Sequence, residues 1–205
     1  MKHCLIFSTV VFMLLSFSNL CAAGEATPRE IVRKVNQACD LLAEQGEEAF
    51  PTIGDKNGLF VWKDSYIFVL DLDGVTLVHF SPNLVGKNML DLKLKDYYGK
   101  YFIEEFVEIA KSPRGYGWST YWWSKPDDRT LHRKTSFIRK VPGRDLLVGA
   151  GVYDLTEEEA KEATQDLLEA LKSEAPAPSN RPAASPSPSP APEEGKTGET
   201  ESEEG

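Results

Sequence analysis

Residues 66–80, YIFVLDLDGVTLVHF, decide the fold of this chain. Two runs of β-branched and aromatic residues, 66–70 and 75–80, flank the turn sequence Asp71-Leu72-Asp73-Gly74. Asp-Gly between two such runs is a strong signal for a β-hairpin. Asp71 and Asp73 could also begin a calcium loop, but the rest of that ligand pattern is missing. We therefore expect a plain turn between two antiparallel strands.

Outward from this hairpin, the sequence predicts three more strands and three helices. The strands are expected at 118–123, 131–140 and 146–153, and the helices at 28–49, 100–111 and 157–172. Thr27-Pro28 followed by Glu30 is typical of a helix start, and Pro51 is expected to end or bend the first helix. Consecutive strands joined by tight turns favour an antiparallel sheet, so the predicted class is α+β.

The two ends of the chain differ in composition from its middle. Residues 1–23 combine a short basic start, an apolar run and small residues before Gly24, which is typical of a secretory signal cleaved after Ala23. The alternative is a retained membrane anchor, although the apolar run is short for a spanning helix. Residues 175–205 are rich in proline, serine and glutamate and predict a disordered tail, either a linker or a plain solvated segment. We expect the domain between them, 24–174, to be periplasmic or secreted.

Composition and motifs argue against several classes of function. The formal net charge of −9 does not suit a protein that neutralises the phosphates of nucleic acid. The sequence has no G-x-S-x-G, P-loop or H-E-x-x-H motif and no visible nucleophile–base pair, so we expect no enzyme. His79 and His132 are far apart, which does not favour a metal site, and no cofactor is expected. Cys39 is expected to be a small buried hydrophobe.

Polar residues within aromatic strands form the most informative pattern. Strand alternation places Tyr121 and Trp123 on one face of their strand and Trp118 on the other. Lys134 and Ser136 share a face of the next strand. A buried cation with hydroxyl and aromatic neighbours suits a small carboxylate, because charge-assisted bonds hold the anion and ring faces hold its alkyl part. The alternative is that the rings belong to the core and that Lys134 is exposed.

Six short segments follow one another in a fixed order between residues 58 and 154. They are Tyr66-Ile67-Phe68-Val69-Leu70-Asp71 with Asp73-Gly74; His79 with Pro82 and Leu84-Val85-Gly86-Lys87-Asn88; Asp96 with Gly99-Lys100; Gly117 with Tyr121, Trp123 and Lys125-Pro126; Lys134-Thr135-Ser136-Phe137; and Gly149-Ala150-Gly151-Val152-Tyr153. No one segment is specific, but all of them in this order are. Together they resemble the single Cache domain, a PAS-like sensor domain that lies outside the cytoplasm.

The resemblance implies a PAS-like sheet of five antiparallel strands with a long N-terminal helix behind it. It also implies a pocket for small carboxylates such as acetate, propionate, lactate or pyruvate. Carried over residue by residue, the ligand-binding positions are Tyr121, Trp123, Lys134, His79, Ser136, Tyr66 and Trp118. Two positions depart from the family pattern. Phe137 stands where the family usually has tyrosine, and two residues separate His79 from Pro82 where the family usually has them adjacent.

We therefore expect an exported domain that binds a small organic carboxylate, for sensing or for presentation to a separate receptor. Similar domains usually precede a second membrane helix and a signalling module, whereas here a helix and the predicted tail follow. The expected partner is thus a membrane receptor or sensor kinase in trans, and the protein is expected to be a monomer or a homodimer. The alternative is a structural or interaction protein with a vestigial pocket, acting through its acidic, proline-rich tail.

Overall fold

The computed structural model describes residues 24–174, so the signal peptide predicted at 1–23 and the tail predicted at 175–205 lie outside it. The helices are α1 (Pro28–Gln45), α2 (Phe50–Gly54), α3 (Phe102–Lys111), α4 (Glu157–Glu162) and α5 (Gln165–Glu174). The strands are β1 (Val61–Trp62), β2 (Ser65–Tyr66), β3 (Phe68–Asp71), β4 (Thr76–Val78), β5 (Tyr116–Lys125), β6 (Asp128–Lys140) and β7 (Leu146–Tyr153). Short 3₁₀ turns occupy Gly46–Ala49 and Pro82–Leu84.

Strands β3 to β7 form one antiparallel sheet in the order β4-β3-β7-β6-β5. The β3–β4 hairpin closes at the predicted Asp-Gly turn. There the carboxylate of Asp71 accepts bonds from the N–H groups of Asp73 and Val75 at 3.0 and 2.8 Å, and Gly74 adopts a φ of 90°. The predicted α+β class with five antiparallel strands is confirmed.

Helix α1 begins as the sequence predicts but ends earlier. The hydroxyl of Thr27 accepts from the N–H of Glu30, and the Glu30 carboxylate accepts from the N–H of Thr27. The helix stops at Gln45 because Gly46 takes a φ of 65°, a conformation that glycine adopts without strain. Pro51 does not end it. Pro51 lies in the first turn of α2, where the N–H that proline lacks has no helical partner anyway.

A short hairpin that the sequence did not predict, β1–β2, precedes the sheet. Its two-residue turn is Lys63-Asp64, which contains neither glycine nor asparagine, and Lys63 adopts a φ of 51°. Such a turn lacks the Asn-Gly, Asp-Gly or Gly-Gly pair that normally indicates a tight hairpin. The ammonium of Lys63 contacts the carboxylate of Glu30 at 2.9 Å, which ties the hairpin to the start of α1.

The helix predicted at 157–172 is two helices in the structure. Thr164 lies buried between α4 and α5, and its hydroxyl donates to the carbonyl of Ala160 at 2.7 Å, a side-chain bond that bends helices. The guanidinium of Arg29 binds both carboxylate oxygens of Asp166, at 2.5 and 2.9 Å. These contacts hold the C-terminal helices beside α1.

The sheet is covered on both sides, by what we call the α1 face and the α3 face. The α1 face packs Val69, Trp118, Phe137, Val148, Ala150 and Val152 against Ile31, Val35 and Leu42 of α1. The α3 face packs Phe68, Leu70, Tyr121, Ile138 and Leu147 against Phe102, Ile103 and Phe106 of α3. Because side chains alternate along a strand, each long strand contributes to both faces.

Candidate ligand-binding site

Lys134 is a fully buried cation at the centre of the α3 face. It lies in β6, opposite Tyr121 of β5 and Tyr153 of β7, and none of its side chain is accessible to solvent. Its ammonium nitrogen Nζ lies 4.1 Å from the centroid of the Tyr66 ring and 5.2 Å from that of Tyr153. Within residues 24–174, Nζ has no hydrogen-bond partner. The alternative that Lys134 is exposed is therefore wrong.

Glycines of β7 make the space that this lysine occupies. A Cβ added at Gly151 would stand 2.9 Å from Cε of Lys134 and would overlap the hydroxyl of Ser136. A Cβ at Gly149, two residues earlier on the same face, would overlap Phe68 and Ile138. Glycine inside a strand usually marks such a close approach. The sequence contains this glycine pair in its last quoted segment, but only the packing of Gly151 against Lys134 shows which side chain it makes room for.

Tyr66, His79 and Trp123 form one hydrogen-bonded group beside the ammonium. The N–H of Ser81 donates to Nδ1 of His79 at 2.9 Å, so the neutral ring carries its proton on Nε2. That nitrogen lies 3.4 Å from the hydroxyl oxygen of Tyr66, which also accepts from Nε1 of Trp123 at 3.0 Å. The oxygen of Tyr66 thus receives two donors, and its own O–H proton is left to donate to a further acceptor.

Two further hydroxyl groups, those of Tyr121 and Ser136, form a pair near Lys134. The two oxygens are 3.0 Å apart, and both residues are buried. The ring of Tyr121 stacks on that of Phe102 from α3, with centroids 4.4 Å apart and planes 4° from parallel. One hydroxyl of the pair donates to the other, so the proton of the second remains available.

Burial sets the charges of this group. It lowers the pKa of Lys134 to about 7, an effect that the charge of Asp64 opposes. Burial, together with the charge of Lys134, lowers the pKa of His79 to about 3, so the imidazole is neutral at pH 7. Burial also raises the pKa values of Tyr66 and Tyr121, which keeps both phenols protonated. The site therefore combines one cation with neutral hydrogen-bond donors.

A small cavity of about 30 Å³ adjoins this group between the sheet and α3. It is lined by Phe68, Leu70, Thr76, His79, Leu84, Met89, Leu94, Phe102, Ile103, Phe106, Tyr121 and Trp123. An open depression of about 420 Å³ lies outside it, and His79, Leu84 and Trp123 border both. Tyr66 lines the depression as well. The shared residues thus lie between the cavity and the wider depression.

The structure brings together six of the seven ligand-binding residues that the sequence predicts. His79, Tyr121 and Trp123 line the cavity, and Tyr66 borders the depression. Lys134 and Ser136 lie behind them, buried in β6. Trp118 is not brought to this group: it lies on the α1 face, its ring centroid 5.2 Å from that of Phe137, because it is an odd number of residues from both Tyr121 and Trp123. Sequence reasoning missed Phe102 because it lies on a covering helix, which follows no strand pattern, and it also missed Thr76, although this residue lies in a predicted strand.

Metal and thiol chemistry find no support in the part of the chain that the structure describes. No three or more His, Cys, Asp or Glu side chains there are grouped so that they could hold a metal ion. Cys39 is buried in α1, and burial raises the pKa of its thiol to about 12, so it remains an unreactive thiol at neutral pH.

Comparison with known proteins defines the class. The family model described as Cache domain matches residues 48–177, and the chain belongs to the Cache domain family. Within it, the chain is 38% identical over 92 residues to the sensor histidine kinase MctS of Rhizobium johnstonii, a match that covers 44% of this chain and 19% of the kinase. The chain thus matches about a fifth of the length of that relative.

Two solved structures have the same fold. A methyl-accepting chemotaxis protein of Vibrio parahaemolyticus superposes with a TM-score of 0.52 at 21% identity, over 61% of this chain and 86% of the other. A Cache chemosensory domain whose structure is described as a basis for carboxylic acid recognition gives 0.50 at 26% identity, over 62% and 88%. Cache domains of this kind are sensory domains of chemoreceptors and sensor kinases, and they are extracytoplasmic. None of the helices within 24–174 has the length and apolar character needed to cross a membrane.

Proposed function

We propose that this Cache domain binds a small organic carboxylate, of the acetate, propionate, lactate or pyruvate class, and does so for sensing. The observation that carries the proposal is the fully buried ammonium of Lys134, which has no hydrogen-bond partner within residues 24–174. A buried charge is costly unless it is paired and hydrogen-bonded. A ligand carboxylate would supply both the opposite charge and the acceptors.

The neighbouring groups suit the rest of such a ligand. The free proton of Tyr66 and that of the Tyr121–Ser136 pair can donate to carboxylate oxygens, or to a 2-hydroxy or 2-oxo group. The apolar residues of the cavity, among them Leu70 and Ile103, can enclose a short alkyl group. Lys134 lies behind the Tyr66 ring, so we expect this ring to move toward the open depression when the acid binds.

The comparisons support this class of ligand and a sensory role. The Cache chemosensory domain that recognises carboxylic acids is similar in fold and is 26% identical. We further propose that the domain is exported and reports ligand binding to a membrane receptor or sensor kinase in trans. Protein recovered from a periplasmic extract is then expected to begin at Gly24 by mass spectrometry. Recovery of the uncleaved chain in the membrane fraction would contradict export as a cleaved protein.

Thermal unfolding of the full chain tests the ligand class. The protein is unfolded, dialysed and refolded to remove bound molecules, and then heated with acids of two to five carbons. An acid at 100 times its dissociation constant adds about 2.7 kcal/mol of stability, or about 5–10 °C in Tm for a domain of this size. The matching amides, which lack the charge, are expected to have no effect.

A pair of variants provides the matched control. Lys134→Met is expected to abolish the shift, whereas Lys140→Met should retain it, because Lys140 lies on the same strand but its side chain is 39% exposed. A refolded wild-type protein that no short acid stabilises would refute the carboxylate proposal.

A further inference from the structure

Asp64 is a carboxylate held rigidly close to the ligand-binding group without joining it. It lies in the β1–β2 turn, and its Oδ1 accepts a bond from the N–H of Ala26 at 2.8 Å. The next residue, Ser65, donates its buried hydroxyl to the carbonyl of Gly151 at 2.8 Å. Gly151 is the glycine that packs against the Lys134 side chain. The turn is thus fixed to the same point of β7 that bounds the lysine.

The other oxygen of Asp64 is free of hydrogen bonds. Oδ2 is buried and has no hydrogen-bond partner in the described range 24–174. The ammonium of Lys125 stands 3.8 Å from it, but Lys125 is equally close to two exposed carboxylates, at 3.7 Å from both Glu25 and Asp154. Lys125 is therefore shared among three carboxylates. It does not fully neutralise the charge of Asp64.

Within residues 24–174, the groups that face Lys134 from the elements packed against it are uncharged. Tyr121 faces it from β5, Tyr153 from β7, Tyr66 from β2 and His79 from the end of the β3–β4 hairpin. The three phenols and the imidazole are all neutral at pH 7. Lys125 and Lys134 each lie 5.2 Å from the ring centroid of Tyr153, so this ring is flanked by both cations. Asp64, beside Lys125, supplies the opposing charge.

We propose that Asp64 is a positioning residue of the ligand site, whose carboxylate favours the charged form of Lys134 while leaving its hydrogen-bond donors free for the ligand. This inference rests on the proposed carboxylate-binding function. A carboxylate in direct contact with Lys134 would compete with the ligand for the same donors. A carboxylate at a distance acts through its field alone, and that field is weakly screened inside a protein.

The charge of Lys134 can be measured directly. Nuclear magnetic resonance of the Lys134 side chain, followed through a pH titration without ligand, gives its midpoint. Asp64→Asn is expected to lower this midpoint by about one pH unit, because an opposite charge nearby favours the charged form. Asn keeps a carbonyl oxygen for the N–H of Ala26, so the fold is preserved. Asp154→Asn removes an exposed carboxylate that also contacts Lys125, and it should leave the midpoint unchanged.

Ligand binding provides the second readout. With acetate, propionate, lactate and pyruvate as probes, Asp64→Asn is expected to bind about tenfold more weakly than wild type at pH 8 and within about twofold of it at pH 5.5. A merely structural defect would weaken binding equally at both values. If an acid binds wild type but the midpoint of Asp64→Asn is unshifted, the role of Asp64 is refuted and the carboxylate function stands. If none of the four acids binds wild type, the carboxylate function itself is refuted.

Discussion

The two faces of the sheet are equally well buried, yet they differ in what they bury. The α1 face holds an apolar core in which Phe137, Val148 and Ile31 have no exposed surface. The α3 face buries Lys134, the single charged side chain that is fully enclosed within residues 24–174, together with its hydroxyl and imidazole neighbours. The α1 face thus stabilises the fold. The α3 face is less stabilising, because it buries an ammonium and hydroxyl groups whose hydrogen-bond donors are free for a ligand.

The largest effect that would sharpen this contrast is expected on the α1 face. Phe137→Ala removes a fully buried ring that packs on Trp118 and Tyr116. We expect it to lower the free energy of unfolding by about 3–5 kcal/mol, the usual cost of a large core truncation. Denaturant unfolding measures this loss. Acid affinity of the folded fraction should be unchanged, and a strong loss of affinity would show that the two faces are not separable.

The opposite pattern is expected for Lys134→Met. Acid affinity should fall by at least about 100-fold, because a buried charge pair is lost. The free energy of unfolding without ligand should be equal to or above that of wild type, because a buried ammonium without partners is replaced by an apolar chain of similar length. Calorimetric titration and denaturant unfolding measure the two quantities. A variant that is destabilised like a core truncation would assign Lys134 to the core instead.

Gly151→Ala is expected to have a smaller effect on both stability and acid binding. It tests how closely β7 packs against the Lys134 side chain. The added methyl would meet Lys134 and Ser136, so we expect a loss of about 1–3 kcal/mol in stability and a weakening of acid binding. Gly54→Ala is the matched control, since its new methyl would meet only Val78, at an ordinary 3.4 Å. Equal behaviour of the two variants would contradict the close packing around Lys134.

The smallest effect concerns pH. The pKa of Lys134 is lowered to about 7, so acid affinity should be nearly constant between about pH 5.5 and 6.5, where Lys134 is charged and the ligand is ionised, and fall about tenfold for each pH unit above 7. Stability without ligand should move the other way. Between pH 7 and about 10, the unfolded chain binds more protons at this lysine than the folded one, so the free energy of unfolding rises with pH. Both slopes should vanish in Lys134→Met, and their survival there would assign them to another group.

The sequence was sufficient for the sheet and only partly sufficient for the site. The Asp-Gly turn and the long aromatic strands predict the order and class of the elements because these signals are local. The β1–β2 hairpin was not predicted because Lys63 adopts a left-handed conformation, which a lysine in the sequence does not indicate. Whether Lys134 was buried or exposed also remained open, since burial depends on what covers the strand.

The covering elements explain that gap. Phe102 of α3 stacks on Tyr121, but a helical ring gives no sign in the sequence of which strand residue it will meet. Strand alternation did separate Trp118 from Tyr121, and the resemblance to the family nonetheless added Trp118 to the predicted ligand-binding residues. The structure places Trp118 on the α1 face, as strand alternation predicts and the resemblance does not.

The β1–β2 hairpin has a mechanical consequence. Its turn holds the entrance of α1 at two points, through Asp64 to the N–H of Ala26 and through Lys63 to Glu30, while Tyr66, two residues beyond the turn, covers the ammonium of Lys134. The hairpin therefore connects the ligand site directly to the start of α1, the longest helix. Because Tyr66 is two residues from Asp64 and three from Lys63, we expect a displacement of its ring to reach the anchor of that helix.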